Sequence, residues 1–336
     1  MIYEVLATPV LIESALTASI DIELDNHSKI IFCGIGTSGL TGQFMKHYFE
    51  YILEDVTVNV YRSSNLPHVK DALYIIYSFS GTTLETLKAL KNVHQKGIKP
   101  LVFSKGGYLE QYAVKHALPF QKIKIPELPN VKKLETRSHL PFAITFFSRV
   151  FSEILNYSKN VLDELKEALN IIRREMDNLE RKKEFYMDVS EKIAMSKSVI
   201  VLSDYTTEPV ARRFRNQLCE NAKKISSWDY FPEMGHNLLC ALKEEIDRVT
   251  LVVFKRKSAN EIIKKYYEII DEALSAGSII SILTKDEKFS WKTLIEPVFI
   301  GDLISVLAGD KLYRETKPIK QVDIVKTKLK EVVSTD

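Results

Sequence analysis

Cysteine is scarce: Cys33, Cys219 and Cys240 are the only three in 336 residues. An odd count without C-x-x-C spacing speaks against a zinc site and against a disulfide framework. The net charge of +3 at pH 7 is too small to imply a nucleic-acid partner by charge alone. No apolar run reaches the roughly 18 residues that a membrane-spanning helix needs. Met1-Ile2-Tyr3-Glu4 has neither the basic region nor the apolar stretch of a signal peptide. What is present, 45% hydrophobic and 27% charged residues, supports a buried core in each of two domains. The expectation is a reduced, cytoplasmic α/β enzyme or binding protein, with neither nucleic acid nor membrane as a partner.

Short β-branched and apolar runs alternate with longer helical patterns, as in parallel α/β units. In the first half strands are expected at Lys29–Cys33, Val56–Tyr61, Leu73–Tyr77, Pro100–Ser104 and Phe120–Ile125, with helices at about Gly39–Ile52, Thr83–Lys96 and Tyr108–Lys115. Between Leu140 and Lys197 the strand signal stops. An apolar helix near Pro141–Leu155 and a charged one near Asn160–Met187 are expected there, the second with mixed-sign runs typical of a solvated face. Alternation resumes with strands at Ser198–Ser203, Lys224–Trp228, Val249–Phe254 and Ser278–Leu283. Helices are expected near Pro209–Asn221, His236–Ala241, Ser258–Leu274 and Leu294–Ala308, and a short basic one at Val322–Val333 behind Pro318. The pattern predicts an α/β fold of two doubly wound parallel sheets: one domain over residues 1–140, a helical bridge over 141–197, and a second domain over 198–336.

Gly34-Ile35-Gly36-Thr37-Ser38-Gly39 lies between a strand and a helix. Glycine there permits positive φ and close approach of a ligand, and the helix start offers N–H groups and the positive dipole end to an anion. The run lacks the Gly-Lys-Ser/Thr ending of a P-loop. It matches G-x-G-x-x-G, but a dinucleotide site calls for an acid at the end of the next strand, where Tyr61-Arg62-Ser63-Ser64 stands. That argues against NAD and leaves only Arg62 in favour of NADP. Taken alone, the run is equally compatible with a turn that binds nothing. Ser78-Phe79-Ser80-Gly81-Thr82-Thr83 follows another strand and opens another helix. Helix capping uses one hydroxyl, so three of these four are left over. Two such turns at the ends of parallel strands point to one phosphate pocket at a topological switch point. Neutral donors suit a phosphate that is held rather than transferred, and the carboxylates or metal of a kinase or phosphatase are missing from both turns.

In the second half, Glu220-Asn221-Ala222-Lys223 and Pro232-Glu233-Met234-Gly235-His236-Asn237 could supply a base and an acid. By itself Glu220 reads more readily as a surface acid, and His236 equally as a helix cap. His27, His47, His68, His94, His116 and His139 receive no role.

These segments together resemble the archaeal and bacterial bifunctional phosphoglucose/phosphomannose isomerases, enzymes with two sugar isomerase (SIS) domains, over about residues 25 to 330. The resemblance implies two SIS domains joined by helices and sugar 6-phosphates as substrates, with no cofactor and no metal. It implies phosphate binding by Gly36, Ser38, Ser78, Ser80 and Thr83, and Glu220 as the catalytic base. His236 would assist ring opening, reaching across the interface of a homodimer. Arg137, in Thr136-Arg137-Ser138-His139-Leu140-Pro141, would stabilise the charged intermediate, and Lys326, in Val322-Asp323-Ile324-Val325-Lys326, would aid proton transfer. The family places a Thr-Pro pair just before the Lys helix, where Thr gives room for the rotation about C2–C3 that mannose phosphate needs. Here Lys317 separates Thr316 from Pro318, and the pair lies further upstream.

The implied reaction is aldose–ketose isomerisation of glucose 6-phosphate, and of mannose 6-phosphate, with fructose 6-phosphate. It would run through a cis-enediol, with Glu220 moving the proton and Arg137 countering the oxyanion. The alternative is a SIS-fold regulator that binds sugar phosphate without turnover, although the segment before Ile31 is too short for a helix-turn-helix domain. A hexosamine phosphate synthase would carry a nucleophilic Cys at its start, where Ile2 follows Met1. A single-SIS arabinose-phosphate isomerase conflicts with the second α/β half.

Overall fold

Ile30, Ile31, Phe32 and Cys33 form an unbroken apolar run, and such runs suit parallel strands covered on both faces by helices. In the computed structural model, which describes residues 1–157, 160–245, 249–273, 279–284, 288–317, 322, 324, 325, 327 and 328, this run lies in the first strand of a five-stranded sheet. The chain divides into two compact units. One is built on Ala7–Leu165, and the other joins Met1–Leu6 to Lys166–Ile319.

The chain opens with α1 (Ile2–Leu6) and α2 (Thr8–Thr17). In the Ala7–Leu165 unit there follow β1 (Lys29–Cys33), α3 (Thr37–Ile52), β2 (Thr57–Tyr61), β3 (Leu73–Tyr77), α4 (Leu84–Gln95), β4 (Leu101–Ser104), α5 (Gly107–Lys115), β5 (Phe120–Lys122) and α6 (Leu140–Ile154). The strands are ordered β2-β1-β3-β4-β5 and all pairs are parallel. Helix α6 packs against α2 and α3. Its Phe147 is the hub of an aromatic core, with ring centroids 5.4 Å from Phe32, 4.7 Å from Tyr77 and 4.9 Å from Phe103, spacings at which aromatic pairs attract beyond simple burial. From the same helix Arg149 donates to the Ala15 and Ala18 carbonyls at 2.8 and 2.6 Å. These bonds satisfy carbonyls left over where α2 ends.

The remaining elements are α7 (Val161–Asp177), α8 (Lys183–Met195), β6 (Ser198–Asp204), α9 (Glu208–Glu220), β7 (Ser226–Phe231), α10 (Leu238–Glu245), β8 (Val249–Arg256), α11 (Glu261–Ala273), β9 (Ile279–Thr284) and α12 (Trp291–Lys311). A four-stranded sheet runs β7-β6-β8-β9, again parallel. Buried α12 packs on α8 and α9. A bidentate pair ties it to α9, with Arg213 Nε and Nη2 each 2.8 Å from the Asp302 carboxylate, both side chains buried. Among the described residues no helix is long and apolar enough to cross a membrane.

The expected alternation is present, with four departures. Helices α1 and α2 were not anticipated. The charged helix expected over Asn160–Met187 is two helices, because the Asn178 backbone and side chain both bond back to the Arg174 carbonyl and close α7. Strand β7 starts at Ser226 rather than Lys224: Lys223 is left-handed, with φ 52°, and the Lys224 N–H returns to the Leu218 carbonyl, so both residues belong to the cap of α9. The stretch 141–197 is not a separate bridge. Helix α6 packs within the first unit, α8 packs on α12 within the second, and the division falls inside α7.

Candidate active site

In the first unit the chain reverses its winding direction between β1 and β3, so the connections leaving their carboxyl ends part and open a crevice. Both anticipated turns lie there. In the first turn, Gly36 has φ +60° and a side chain at its Cα would point into open space. Gly34 and Gly39 are the packed members: a Cβ on Gly39 would sit 2.3 Å from the Gly34 carbonyl oxygen. Glycine thus lets the turn fold on itself while Gly36 presents bare backbone. Ser38 is buried in the first turn of α3, and its Oγ accepts from the Phe79 N–H at 3.0 Å, tying the two turns together.

In the second turn Ser78 Oγ donates to Thr83 Oγ1 at 3.1 Å and accepts from the Gly81 N–H at 3.2 Å. Ser80 Oγ accepts from the Thr82 N–H and hydroxyl at 3.3 and 3.1 Å. Gly81, at φ +68°, lets the Gly106 carbonyl approach so closely that a Cβ would lie 1.6 Å from it. The N-caps of α3 and α4, Gly36 and Thr83, make no side-chain capping bond. Two helix starts without side-chain caps and a cluster of hydroxyls therefore meet at this crevice, an arrangement that can bind an oxyanion. Simple capping does not account for it.

Arg137 is buried, with Nη1 3.5 Å from Glu135. Its segment is held against the second turn through His139, whose ring stacks on Phe79 at 4.0 Å and meets Tyr77 edge-on at 5.9 Å. His139 Nδ1 pairs with the Thr136 carbonyl. Neither His139 nor the aromatic platform beneath it was assigned a role from the sequence, since aromatic residues at strand ends ordinarily read as core. Burial raises the Tyr77 hydroxyl pKa well above its ordinary value and pushes the Cys33 thiol up to about 12. Cys33 is therefore protonated at neutral pH and no nucleophile.

Glu220 and His236 belong to the other unit. Glu220 is the half-buried last residue of α9, and the Lys223 ammonium donates to its carbonyl. Next to it Asn221 is fully buried and donates to Ser305 Oγ on α12 at 2.9 Å. The end of α9 that carries Glu220 is thus held on α12 by Asn221 and, two turns back, by Arg213. Thr316 lies beside the same place: a Cβ on Gly309 would be 2.8 Å from the Asn221 carbonyl and 3.2 Å from the Thr316 methyl. Its displacement in sequence leaves it close in space to the residue after Glu220. His236 is exposed at the end of a 3-10 turn, Glu233–His236. Lys326 lies outside the described residues, as does much of the expected tail helix. Among the described residues no group of three or more His, Cys, Asp or Glu side chains could hold a metal ion.

Two family models match the chain: the SIS domain over residues 23–122 and the bacterial phospho-glucose isomerase C-terminal SIS domain over residues 187–329. The bifunctional phosphoglucose/phosphomannose isomerase of Aquifex aeolicus is 27% identical over 92% of each chain. That of Caldicellulosiruptor bescii is 25% identical over 94% of this chain and 93% of its own. Among solved structures, the C-terminal domain of a glucosamine-fructose-6-phosphate aminotransferase from Francisella tularensis superposes with a TM-score of 0.70 at 17% identity, covering 94% of this chain and 96% of that one.

Proposed function

We propose that the chain is an isomerase of the kind its relatives are, a bifunctional phosphoglucose/phosphomannose isomerase, and that it interconverts fructose 6-phosphate with glucose 6-phosphate and mannose 6-phosphate. The observation that carries the substrate class is the pair of uncapped helix starts ringed by Ser38, Ser78, Ser80 and Thr83. Their donors are neutral and suit a phosphate that anchors the sugar while bonds change further along it. That anchoring supplies binding energy for orienting the reacting carbons.

In this mechanism His236 and Lys326 move the protons of the ring oxygen and O1 as the sugar opens. The Glu220 carboxylate takes the proton from the carbon next to the carbonyl and returns it to the neighbouring carbon, through a cis-enediol. Arg137 places a permanent charge against the enediolate oxygen, an effect worth about 3 kcal/mol in comparable sites. The chain acts as a homodimer in the cytoplasm, and exposed His236 serves the partner's site.

Substituting Ser80 by Ala removes one phosphate donor. The expected result is a KM for fructose 6-phosphate raised roughly tenfold or more, as for a lost hydrogen bond to a charged group, with a smaller change in kcat. An unchanged KM in steady-state kinetics would place the phosphate elsewhere.

Mixing Glu220→Gln chains with His236→Asn chains tests the shared site. Neither variant alone turns over substrate, and random pairing at equal concentration restores activity to about a quarter of the wild-type sites. No recovery after subunit exchange would confine each site to one chain.

A further inference from the structure

The second unit repeats the winding of the first, with a switch point between β6 and β8. The first unit carries its hydroxyl-lined turns at this place. In the second unit the last residues of the two strands are Asp204 and Arg256, both buried. Arg256 reaches the Asp204 carboxylate with Nε at 2.7 Å and Nη2 at 3.2 Å. The same carboxylate accepts from the Thr206 N–H at 2.9 Å, from the Thr206 hydroxyl, and from the Tyr267 hydroxyl at 3.4 Å. The third guanidinium nitrogen, Nη1, meets Ser258 Oγ at 3.1 Å, and the Phe289 ring lies 5.4 Å from the guanidinium carbon.

Five donors from three elements converge on one carboxylate: a backbone N–H at the start of a helical turn, two hydroxyls and a guanidinium fork. They form the donor set of an oxyanion site, and an Arg fork grips phosphate and carboxylate by the same paired geometry. Stability is a weak reason for burying such a pair, since an apolar replacement of similar volume is often as stable. We propose that the switch point of the second unit is an anion-recognition site for a phosphate-class oxyanion, occupied in cis by the Asp204 carboxylate. The built-in anion closes the site to free phosphate and to phosphate esters, so each chain takes up its substrate's phosphate at one switch point only.

The test is titration of the full-length protein with inorganic phosphate, counting sites by calorimetry, for wild type, Asp204→Ala, and the double variant Asp204→Ala/Arg256→Met. The expected counts per chain are one, two and one. The site gained on removing Asp204 is the readout. If the first unit held no phosphate the counts would become none, one and none, so a failure of the functional reading is distinguishable from a failure of this one. Where Asp204→Ala unfolds in phosphate-free buffer, phosphate fills the vacated place and restores its circular dichroism and cooperative melting. No gained site in folded Asp204→Ala, an Asp204→Ala chain that phosphate does not refold, or a gained site retained by the double variant would each overturn the proposal.

Discussion

Glu220→Gln is expected to lower kcat for fructose 6-phosphate isomerisation by about a thousandfold, within the range that a positioned general base contributes. Glutamine keeps the shape and hydrogen-bonding span of glutamate but cannot hold the travelling proton. The turns proposed to hold the phosphate lie in the other unit, so sugar-phosphate binding should be little changed. That combination, kcat lost and KM retained, marks a group that acts only in the transition state. The exposed acid Glu180, outside the residues given a role, serves as the control, and Glu180→Gln should keep most of the activity. A Glu220→Gln enzyme with more than about a tenth of wild-type kcat would remove Glu220 from the role of base.

Asp302→Ala is expected to be strongly destabilising. Its carboxylate is the bidentate partner of Arg213, and both side chains are buried. Breaking such a pair by removing one member leaves an uncompensated buried charge and costs about 3–5 kcal/mol. At roughly 2–4 °C per kcal/mol for a large domain, the melting temperature should fall by about 6–20 °C. Activity measured well below that melting point should fall as well, because this pair and the Asn221–Ser305 bond position the end of α9 that carries Glu220. Replacing both members with apolar residues, as in Arg213→Met/Asp302→Leu, should recover much of the stability, since no charge is then stranded. A melting temperature for Asp302→Ala within about 2 °C of wild type would show that the pair carries little weight.

The parallel architecture was legible because strands buried on both faces leave unbroken apolar runs. Lys29–Cys33 and Leu73–Tyr77 were located to the residue. Boundaries failed where side chains and caps decide them, as at Asn178, where the chain bonds back on itself, and at Lys223, whose left-handed conformation delays β7. The two turns after β1 and β3 were legible as turns because glycine and clustered hydroxyls mark the junctions where strands give way to helices. The Tyr77–Phe79–His139 stack was not, since its members are ordinary in a sequence and acquire meaning only when the segment after β5 returns to the second turn. The Asp204–Arg256 pair was invisible for a related reason. Its members are far apart in the chain, and only the pairing of β6 with β8 makes them neighbours.

The most direct test of the account is to incubate the wild-type protein with fructose 6-phosphate in excess chelator and follow the products by NMR. Glucose 6-phosphate and mannose 6-phosphate should both form, at a rate the chelator leaves unchanged. Loss of turnover on chelation, or a protein that binds the sugar phosphate and forms neither aldose, would contradict it.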